Sequence, residues 1–309
     1  MSATRASYER LIDDLRSDFR PQRSWGEGRT LFLIIGHFVS GIADGAWLLG
    51  LLYASPACLA LAWMLGGAGG VAHLINLGRP GRFWRMMTQP GRSWVSRGFW
   101  GLSLFLIGGF LYLVPLWSSA SPWGVDSLLG QLGYFLALLG MLILIAYKGF
   151  VYSASKAIPF WNSALHPALY ISYALRGGVA GLLLVQGFGA GSLASFPELL
   201  IWWMGTTGLV AALFGLELHG AWTGGNAAAR RSVQEIVAGR FGLTFYGGIL
   251  LVGLVVPAAL VWWQAYGEFS QLAMGLLGLA SAIGDYFLKY ATIRAGYHLP
   301  IWTARKAAR

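Results

Sequence analysis

Apolar residues run through the chain in eight long blocks separated by short polar connections. A helix needs about 20 consecutive apolar residues to cross the hydrocarbon core of a bilayer, and each block reaches that length. The sequence therefore predicts an all-α integral membrane protein in which eight transmembrane helices form a bundle. We place the spans near residues 30–53, 56–77, 98–117, 128–153, 164–188, 196–218, 242–264 and 270–291.

Composition supports a membrane protein and excludes several other classes. Of the 309 residues, 56% are hydrophobic and 11% are charged, whereas about a quarter of the residues of a soluble globular protein are charged. A soluble domain, a disordered chain and a collagen are thereby excluded. The glycine-rich stretches at 66–70, 177–178 and 247–248 lie inside apolar spans and indicate close helix packing. The single cysteine, Cys58, excludes an iron–sulfur cluster or a thiolate zinc site within this chain, because those sites need several thiolates.

Basic residues are concentrated on one side of the predicted bundle. The connections after spans one, three, five and seven contain no Lys or Arg, and all but one of the 22 basic residues fall in the termini and the other connections. This count assigns Lys148 and Lys156 to the fourth connection and Lys289 to the C-terminal end. The positive-inside rule then places both termini in the cytoplasm, which predicts a multi-pass protein of the bacterial cytoplasmic (inner) membrane. The net charge of +10 reflects this orientation, and we expect no nucleic acid partner.

The segments outside the spans are short. Residues 1–29 form a cytoplasmic N-terminal segment without a signal peptide, and residues 295–309 form a basic C-terminal tail around the membrane domain 30–294. Within the first segment, apolar residues recur at helical spacing until Pro21 interrupts the pattern. An amphipathic helix of this kind lies on the membrane surface or docks on a soluble partner. The apolar positions are Tyr8, Leu11, Ile12, Leu15 and Phe19.

Four charged residues lie within the predicted spans, where an ionised group costs several kcal/mol and often marks function. They are Asp44, Arg176, Glu217 and Asp285. Arg176 lies about 18 Å from the inner end of its span, at 1.5 Å per residue, so we expect one of the three carboxylates to face it. Three interpretations stay open: an ion pair that fixes helix packing, a proton-conducting or quinone-linked network, and the substrate path of a transporter.

Histidines raise the question of haem. His37 lies seven residues before Asp44 and therefore shares its helix face, while His73 lies near the cytoplasmic end of span two. These two histidines are candidates for a haem ligand pair, but no second pair occurs at the opposite depth, and we expect no haem. Tyr147, near the inner end of span four, is by itself typical of an interfacial aromatic belt.

Three motifs then occur in order along the first half of the chain. The second connection reads LGRPGRFW from Leu77, followed by SWVSRG from Ser93. Span one contains HFVSGIADG from His37, and span four leads through YKG at Tyr147 to IPFWN at Ile158. Together these motifs resemble the NrfD/polysulfide-reductase/DMSO-reductase membrane-anchor family, whose members have eight helices. Alone, LGRP is only moderately specific.

The resemblance implies a partnership and a ligand. Such proteins are membrane subunits of oxidoreductase complexes that also contain a molybdopterin catalytic subunit and an iron–sulfur (ferredoxin-like) subunit. They carry no haem or cluster of their own and exchange electrons between a quinone, menaquinone or ubiquinone, and the partner's nearest cluster. His37 and Tyr147 occupy positions that resemble the family's pair of quinone ligands, which implies that both side chains hydrogen-bond the quinone. His73, Arg79 and Trp84 then belong to the polar region between the quinone and the cluster subunit.

Two positions depart from the family pattern. Asn76 stands where some members have histidine, and Gly98 stands where others have glutamate, so one proton-relay position differs. We therefore assign proton transfer to Asp44, Arg176, Glu217 and Asp285. The arginines of the second connection, Arg82, Arg85 and Arg92, are candidates for partner docking, and because that connection is predicted to be cytoplasmic, so are the soluble partners.

Other functions remain open from the sequence alone. A purely structural anchor predicts that His37 and Tyr147 are dispensable for quinone chemistry. A secondary transporter predicts solute flux by the isolated chain, through Arg176 and Asp44. In the leading interpretation the chain is a quinone-reactive subunit of an oxidoreductase complex rather than a stand-alone enzyme.

Overall fold

A computed structural model describes Tyr8, Glu9, Ile12 and residues 19–189, 194–264 and 270–299. Eight helices in these ranges are long and apolar enough to cross a membrane, which confirms the predicted fold class. The eight transmembrane helices are α1 (Leu31–Leu52), α2 (Pro56–Asn76), α3 (Trp94–Trp117), α4 (Leu128–Ser153), α5 (His166–Phe188), α6 (Phe196–Thr223), α8 (Thr244–Val255, continuing as Val256–Gln264) and α9 (Gln271–Arg294). A shorter helix, α7 (Ala227–Val237), lies between α6 and α8 in the chain.

Serine side chains cap the start of five transmembrane helices. Each hydroxyl accepts a hydrogen bond from a backbone N–H in the first turn, which satisfies one of the donors that a helix start leaves free. The Ser93 hydroxyl accepts from the backbone N–H of Ser96 at 3.3 Å. Helix α3 consequently begins at Trp94 rather than at the predicted residue 98. The other caps are Ser55, Ser127, Ser195 and Ser270.

Two elements were not predicted. The connection between α6 and α8 contains the short helix α7, whose N-cap Asn226 accepts hydrogen bonds from the backbone N–H groups of Ala228 and Ala229. The first half of α8, Thr244–Val255, is π-helical, a conformation that is rare and frequently found at functional positions.

A carboxylate of α7, Glu235, connects this helix to the C-terminal segment. Glu235 accepts from the Arg240 guanidinium at 2.9 Å and from the Tyr297 hydroxyl at 3.1 Å, and forms an ion pair with Arg231 at 2.8 Å. Burial alone raises the pKa of Glu235, but the hydrogen bonds from Arg240 outweigh it and hold the pKa below its usual value.

Helices α1, α5 and α9 form the centre of the bundle and are its most buried spans. Small residues allow them to approach closely: a Cβ atom at Gly45 on α1 would overlap the α5 backbone at Ala174 and Gly178. The other glycine stretches also face neighbouring helices, since Gly66 meets the ring of Phe105 and Gly248 that of Phe287.

The chain segments next to the two termini pair with each other at the end of the bundle where α1 begins and α9 ends. Pro21 and Tyr297 form an isolated β-bridge, and the N–H of Gln22 donates to the carbonyl of Gly296 at 2.8 Å. We call residues 20–30 the strap. The predicted N-terminal helix falls largely outside the described residues, as do residues 300–309 of the tail.

Candidate functional site

A cavity of about 260 Å³ lies among α1, α2, α3 and α4 at the end of the bundle that the strap covers. The lining combines a small polar group with an apolar wall, as ligand sites generally do. The polar lining residues are Ser24, Thr30, His37, Ser40, His73, Asn76 and Tyr147. The apolar wall includes Val95, Phe99, Leu102, Leu144 and Val151, with Trp25 of the strap and Met86 at the same end.

His37 is the centre of the polar group. The side chain is buried, 3% exposed, and both of its ring nitrogens are engaged. Nδ1 lies 2.7 Å from the Tyr152 hydroxyl and Nε2 lies 3.1 Å from the Tyr147 hydroxyl. A neutral imidazole donates from one nitrogen and accepts at the other, so one tyrosine accepts from His37 and the other donates to it. The structure thus brings together the two residues implied as a quinone-binding pair.

His73 and Asn76 carry polar atoms that the described protein leaves unsatisfied. The His73 ring packs edge to face on His37 with 5.0 Å between centroids. His73 Nε2 and Asn76 Oδ1 are both buried and have no hydrogen-bond partner among the described residues. Most buried polar atoms are hydrogen-bonded, so these two mark the part of the cavity wall that a polar ligand would satisfy. Asn76, a departure from the family pattern, therefore lies at the site itself.

The second departure from the family pattern, Gly98 in place of glutamate, has a reason in the packing of Tyr147. A Cβ atom at this position would lie 2.6 Å from the Tyr147 ring, closer than real contacts allow. A glutamate there would displace Tyr147 from His37. Gly36 plays the same role for His73, because its Cβ would lie 2.9 Å from that ring. Two glycines thus make room for the aromatic groups that line the cavity.

Arg176 is paired with Asp285, one of the three carboxylates expected to face it. The guanidinium also donates to Thr207 Oγ1 at 3.0 Å and to the carbonyl of Gly253 at 2.6 Å. Gly253 belongs to the π-helical part of α8, so this unusual segment presents a backbone acceptor to the buried cation. The group joins four spans: α5, α6, α8 and α9.

The other two carboxylates have different partners. Asp44 on α1 binds the ammonium of Lys148 on α4. Glu217 on α6 accepts from His166 Nδ1 at 3.0 Å and from the Ser163 hydroxyl at 2.9 Å. Each predicted proton-transfer carboxylate therefore belongs to a buried pair of its own.

The assignment of Lys148 to the fourth connection and of Lys289 to the C-terminal end was wrong. Both lie within helices, and their side chains are 2% and 1% exposed. Lys148 stays buried because Asp44 compensates its charge, and the Lys289 ammonium lies 5.0 Å from the centre of the Tyr173 ring. Without Lys148 and Lys289, the basic residues of the termini and of the second, fourth and sixth connections still lie on one predicted side of the membrane. The prediction of the orientation is therefore unchanged.

An aromatic path connects His37 to Glu217. Tyr152, which binds His37, also contacts the rings of His166 and Tyr170 at centroid distances of 5.8 and 5.2 Å. Glu217, the partner of His166, lines a second cavity of about 300 Å³ beside the start of α7. Tyr152 was not identified as a site residue from the sequence. Its contact with His37 depends on how α4 is rotated relative to α1, which brings both Tyr152 and Tyr147 to His37.

The arginine-rich connection lies beside the cavity, but most of it faces outward. It forms a 3-10 helix over Pro80–Met87. Arg79 and Trp84, implied as part of the quinone site, are exposed and do not belong to the described lining. The docking candidates Arg82, Arg85 and Arg92 are exposed as well. Met86 of the same 3-10 helix does line the cavity, so the exposed arginines lie directly next to it.

The histidine pair does not fit haem ligation. The rings of His37 and His73 touch edge to face, and no space for a macrocycle separates them. Both ring nitrogens of His37 already have hydroxyl partners. Among the described residues, no group of three or more His, Cys, Asp or Glu side chains is arranged to hold a metal ion.

Comparison with known proteins gives the same family as the motifs. The chain is 25% identical to Protein NrfD of Escherichia coli K12 over 294 residues, covering 86% of this chain and 88% of that protein. It is 25% identical to the C subunit of the anaerobic dimethyl sulfoxide reductase of E. coli K12 over 186 residues, 59% of this chain and 60% of that one. A Protein NrfD homolog of Haemophilus influenzae is 22% identical over 250 residues, 72% of this chain and 76% of the homolog. Residues 30–300 match the family described as Polysulphide reductase, NrfD, and the chain belongs to that family.

Proposed function

We propose that this chain is the membrane-anchor subunit of a reductase complex and that it binds a membrane quinone in the cavity around His37. The observation that carries this proposal is the buried, unsatisfied His73 Nε2 beside the His37–Tyr147 hydrogen bond. Asn76 Oδ1, which is also unsatisfied, is an acceptor and suits a hydroxyl of the quinol form. Family membership supports the role of an anchor, and the dimethyl sulfoxide reductase subunit that the chain resembles is named for such a complex.

The lining has the chemistry that a quinone headgroup requires. A quinone has two carbonyl acceptors at opposite ends of a flat ring and takes up two electrons and two protons on reduction. The Tyr147 hydroxyl and His73 Nε2 provide donors, and the apolar wall from Val95 to Leu102 provides the surface for a flat ring. In the tautomer where Tyr152 donates to His37 Nδ1 and His37 Nε2 donates to Tyr147, the Tyr147 hydroxyl is free to donate to the ligand. The pair then both orients the ligand and supplies a proton to its oxygen.

Proton exchange with the aqueous phase needs titratable groups behind the first pair. Glu217 provides one through Tyr152 and His166, and it reaches the second cavity. Asp44 provides another, because the ammonium of its partner Lys148 lies 6.0 Å from the centre of the Tyr147 ring. In this account Arg176 and Asp285 hold the bundle together around these paths.

The partner's position follows from the exposed arginines. The 3-10 helix Pro80–Met87 presents cations outward and Met86 inward, so a subunit bound there would lie within a few side chains of the quinone. We propose that an iron–sulfur subunit docks there through acidic side chains, that a molybdopterin subunit binds beyond it, and that both lie on the cytoplasmic face. A cysteine introduced at Arg82 that reacts with an impermeant reagent from the periplasm would contradict this orientation.

The test is purification of the tagged chain from native membranes together with its partners. We expect a cysteine-rich ferredoxin-like chain and a large molybdopterin chain to co-purify and to reduce or oxidise added quinone. Tyr147→Phe should lower quinone-coupled turnover while the subunits still assemble, and Tyr134→Phe, on the same helix but outside the cavity lining, is the matched control. Unchanged turnover in Tyr147→Phe would leave the chain as a structural anchor only.

A further inference from the structure

The four helices around the cavity pack as two tight pairs. Helices α3 and α4 touch backbone to backbone, because a Cβ at Gly140 would overlap the main chain of Gly101 and Phe105. Helices α1 and α2 are nearly as close, with the Gly69 Cβ position 3.2 Å from the carbonyl of Gly36. Between the pairs, α2 meets α3 through side chains of α3 instead, such as Leu102 at 3.0 Å from the Gly70 Cβ position.

We call the junction of α2 and α3 the seam. The cavity reaches it, because Gly70 and His73 of α2 and Val95, Phe99 and Leu102 of α3 all belong to the lining. The outer side of the seam is apolar and open: Val95 is 36% exposed, Ile75 42% and Val71 57%. In a membrane this surface faces the lipid. The cavity therefore has polar groups at one wall, and at another it reaches a junction whose outer side is exposed and apolar.

We propose that the seam is the portal through which an isoprenoid tail leaves the cavity, so that the ligand is a lipid-soluble quinone entering sideways from the membrane. Gly70, Val95 and Phe99 line that portal. This inference rests on the proposed quinone function and adds the route by which the quinone enters the cavity. A cavity of about 260 Å³ lies just below the roughly 300–1,000 Å³ of sites for whole drug-sized ligands, so it holds a ring headgroup and leaves a long tail outside. Apolar tails belong in lipid rather than in water.

A second, mostly apolar crevice among the described residues lacks the polar half of this arrangement. It lies between α6 and α8, has a volume of about 230 Å³ and is almost entirely apolar. Its one charged group, Arg176, is already engaged by Asp285, Thr207 and Gly253. The charged group of this crevice is therefore already paired, whereas the seam leads to His73, whose Nε2 has no partner among the described residues, and to Tyr147.

The test compares two naphthoquinones, menadione without a tail and menaquinone-4 with one, binding to the full-length chain in phosphatidylcholine nanodiscs. Quenching of tryptophan fluorescence reports each Kd, since Trp25 lines the cavity. Because Gly70 also lines the cavity, Gly70→Leu should raise the Kd of both quinones. The Kd of menaquinone-4 should rise about tenfold more than that of menadione, equivalent to about 1.4 kcal/mol. Gly67→Leu is the matched control, because its Cβ position has 4.0 Å to its nearest neighbour, Leu106.

A second variant protects the test against a folding defect. Val95→Trp enlarges an already exposed side chain at the portal. Leu139→Trp is its control, because Leu139 is 50% exposed on α4 and does not belong to the described cavity lining. Equal Kd changes for both quinones, or none in either portal variant, would overturn the portal and leave the quinone site standing. If the wild-type chain binds neither quinone, the proposed function fails and the portal with it.

A second experiment needs no variant and uses a quinone that carries a photoreactive group on its isoprenoid tail. Adducts on Val71, Ile75, Val95 or Phe99 support the portal. Adducts concentrated on the α6–α8 crevice, for example at Phe214 or Leu250, overturn it.

Discussion

The His37 cavity and the Arg176 cluster are both buried polar regions of one bundle, but they differ in how their polar groups are satisfied. All three guanidinium nitrogens of Arg176 donate, to a carboxylate, a hydroxyl and a backbone carbonyl, and these contacts hold four helices together. One oxygen of its partner, Asp285 Oδ2, has no partner among the described residues, but it does not belong to a described cavity lining. His73 and Asn76 instead leave buried polar atoms without a partner beside an open cavity. The difference teaches that a buried charge alone does not mark a ligand site; unsatisfied polar atoms next to free volume do.

The largest effect should come from breaking the Arg176 cluster. Arg176→Ala leaves Asp285 buried and unpaired, which costs about 3–5 kcal/mol, so we expect loss of folded protein in size-exclusion chromatography and in thermal unfolding. The double variant Arg176→Met with Asp285→Leu removes both charges and should recover much of the stability. A stable, fully assembled Arg176→Ala protein would contradict the structural role of the pair.

A substitution in the cavity should affect ligand binding rather than stability, in contrast to Arg176→Ala. His73→Leu removes an unsatisfied donor, so we expect little loss of stability. Quinone binding should weaken about tenfold, since the net contribution of a hydrogen bond is about 0.5–1.5 kcal/mol. A quinone titration and a melting curve on the same sample separate the two effects. Equal losses of stability in His73→Leu and Arg176→Ala would remove the distinction between the two regions.

Gly98→Ala probes the cavity through packing. The added Cβ overlaps the Tyr147 ring, and overpacking of this kind costs about 1–3 kcal/mol. Tyr147 must move away from His37, so quinone binding should weaken together with a modest fall in melting temperature. Gly67→Ala, with open space around its Cβ, is the control. Unchanged quinone binding in Gly98→Ala would show that the Tyr147 position is unimportant.

The smallest effect concerns Glu235, outside both regions. Its pKa is lowered in the folded protein, so the ionised carboxylate stabilises the fold above its unfolded pKa, and this contribution disappears as the pH falls through the folded pKa. Glu235→Gln should therefore destabilise the protein by about 1 kcal/mol near neutral pH and by less in acid. Thermal unfolding as a function of pH measures the change, and a pH-independent difference would contradict the ionic contribution.

The fold was largely predictable, because an apolar run of membrane-spanning length has few alternatives. The exceptions have local causes. Helix α3 starts early because Ser93 is its cap, although the next residues resemble a polar connection. Helix α7 has 11 residues, too few to register in a search for spans. The π-helical start of α8 was not predicted, since its apolar run has the same pattern as an ordinary transmembrane α-helix.

The site was predictable only where a motif named its residues. The motifs pointed to His37, His73 and Tyr147, and the structure brings all three together. Tyr152 was missed because its contact with His37 depends on long-range packing. Lys148 was assigned to a connection because its partner Asp44 lies 104 residues away, beyond the reach of a charge count. The roles of these residues in quinone and proton chemistry stay predictions.

The measurement that tests the central claim most directly is the quinone content of the purified complex. The wild-type complex and the double variant with His73→Leu and Tyr147→Phe should be purified in mild detergent, with subunit composition checked on the same preparations. We predict that quinone co-purifies with the wild-type complex and is strongly reduced in the variant, while the same subunits are present in both. Equal quinone content in the two complexes would contradict the assignment of this cavity as the quinone site.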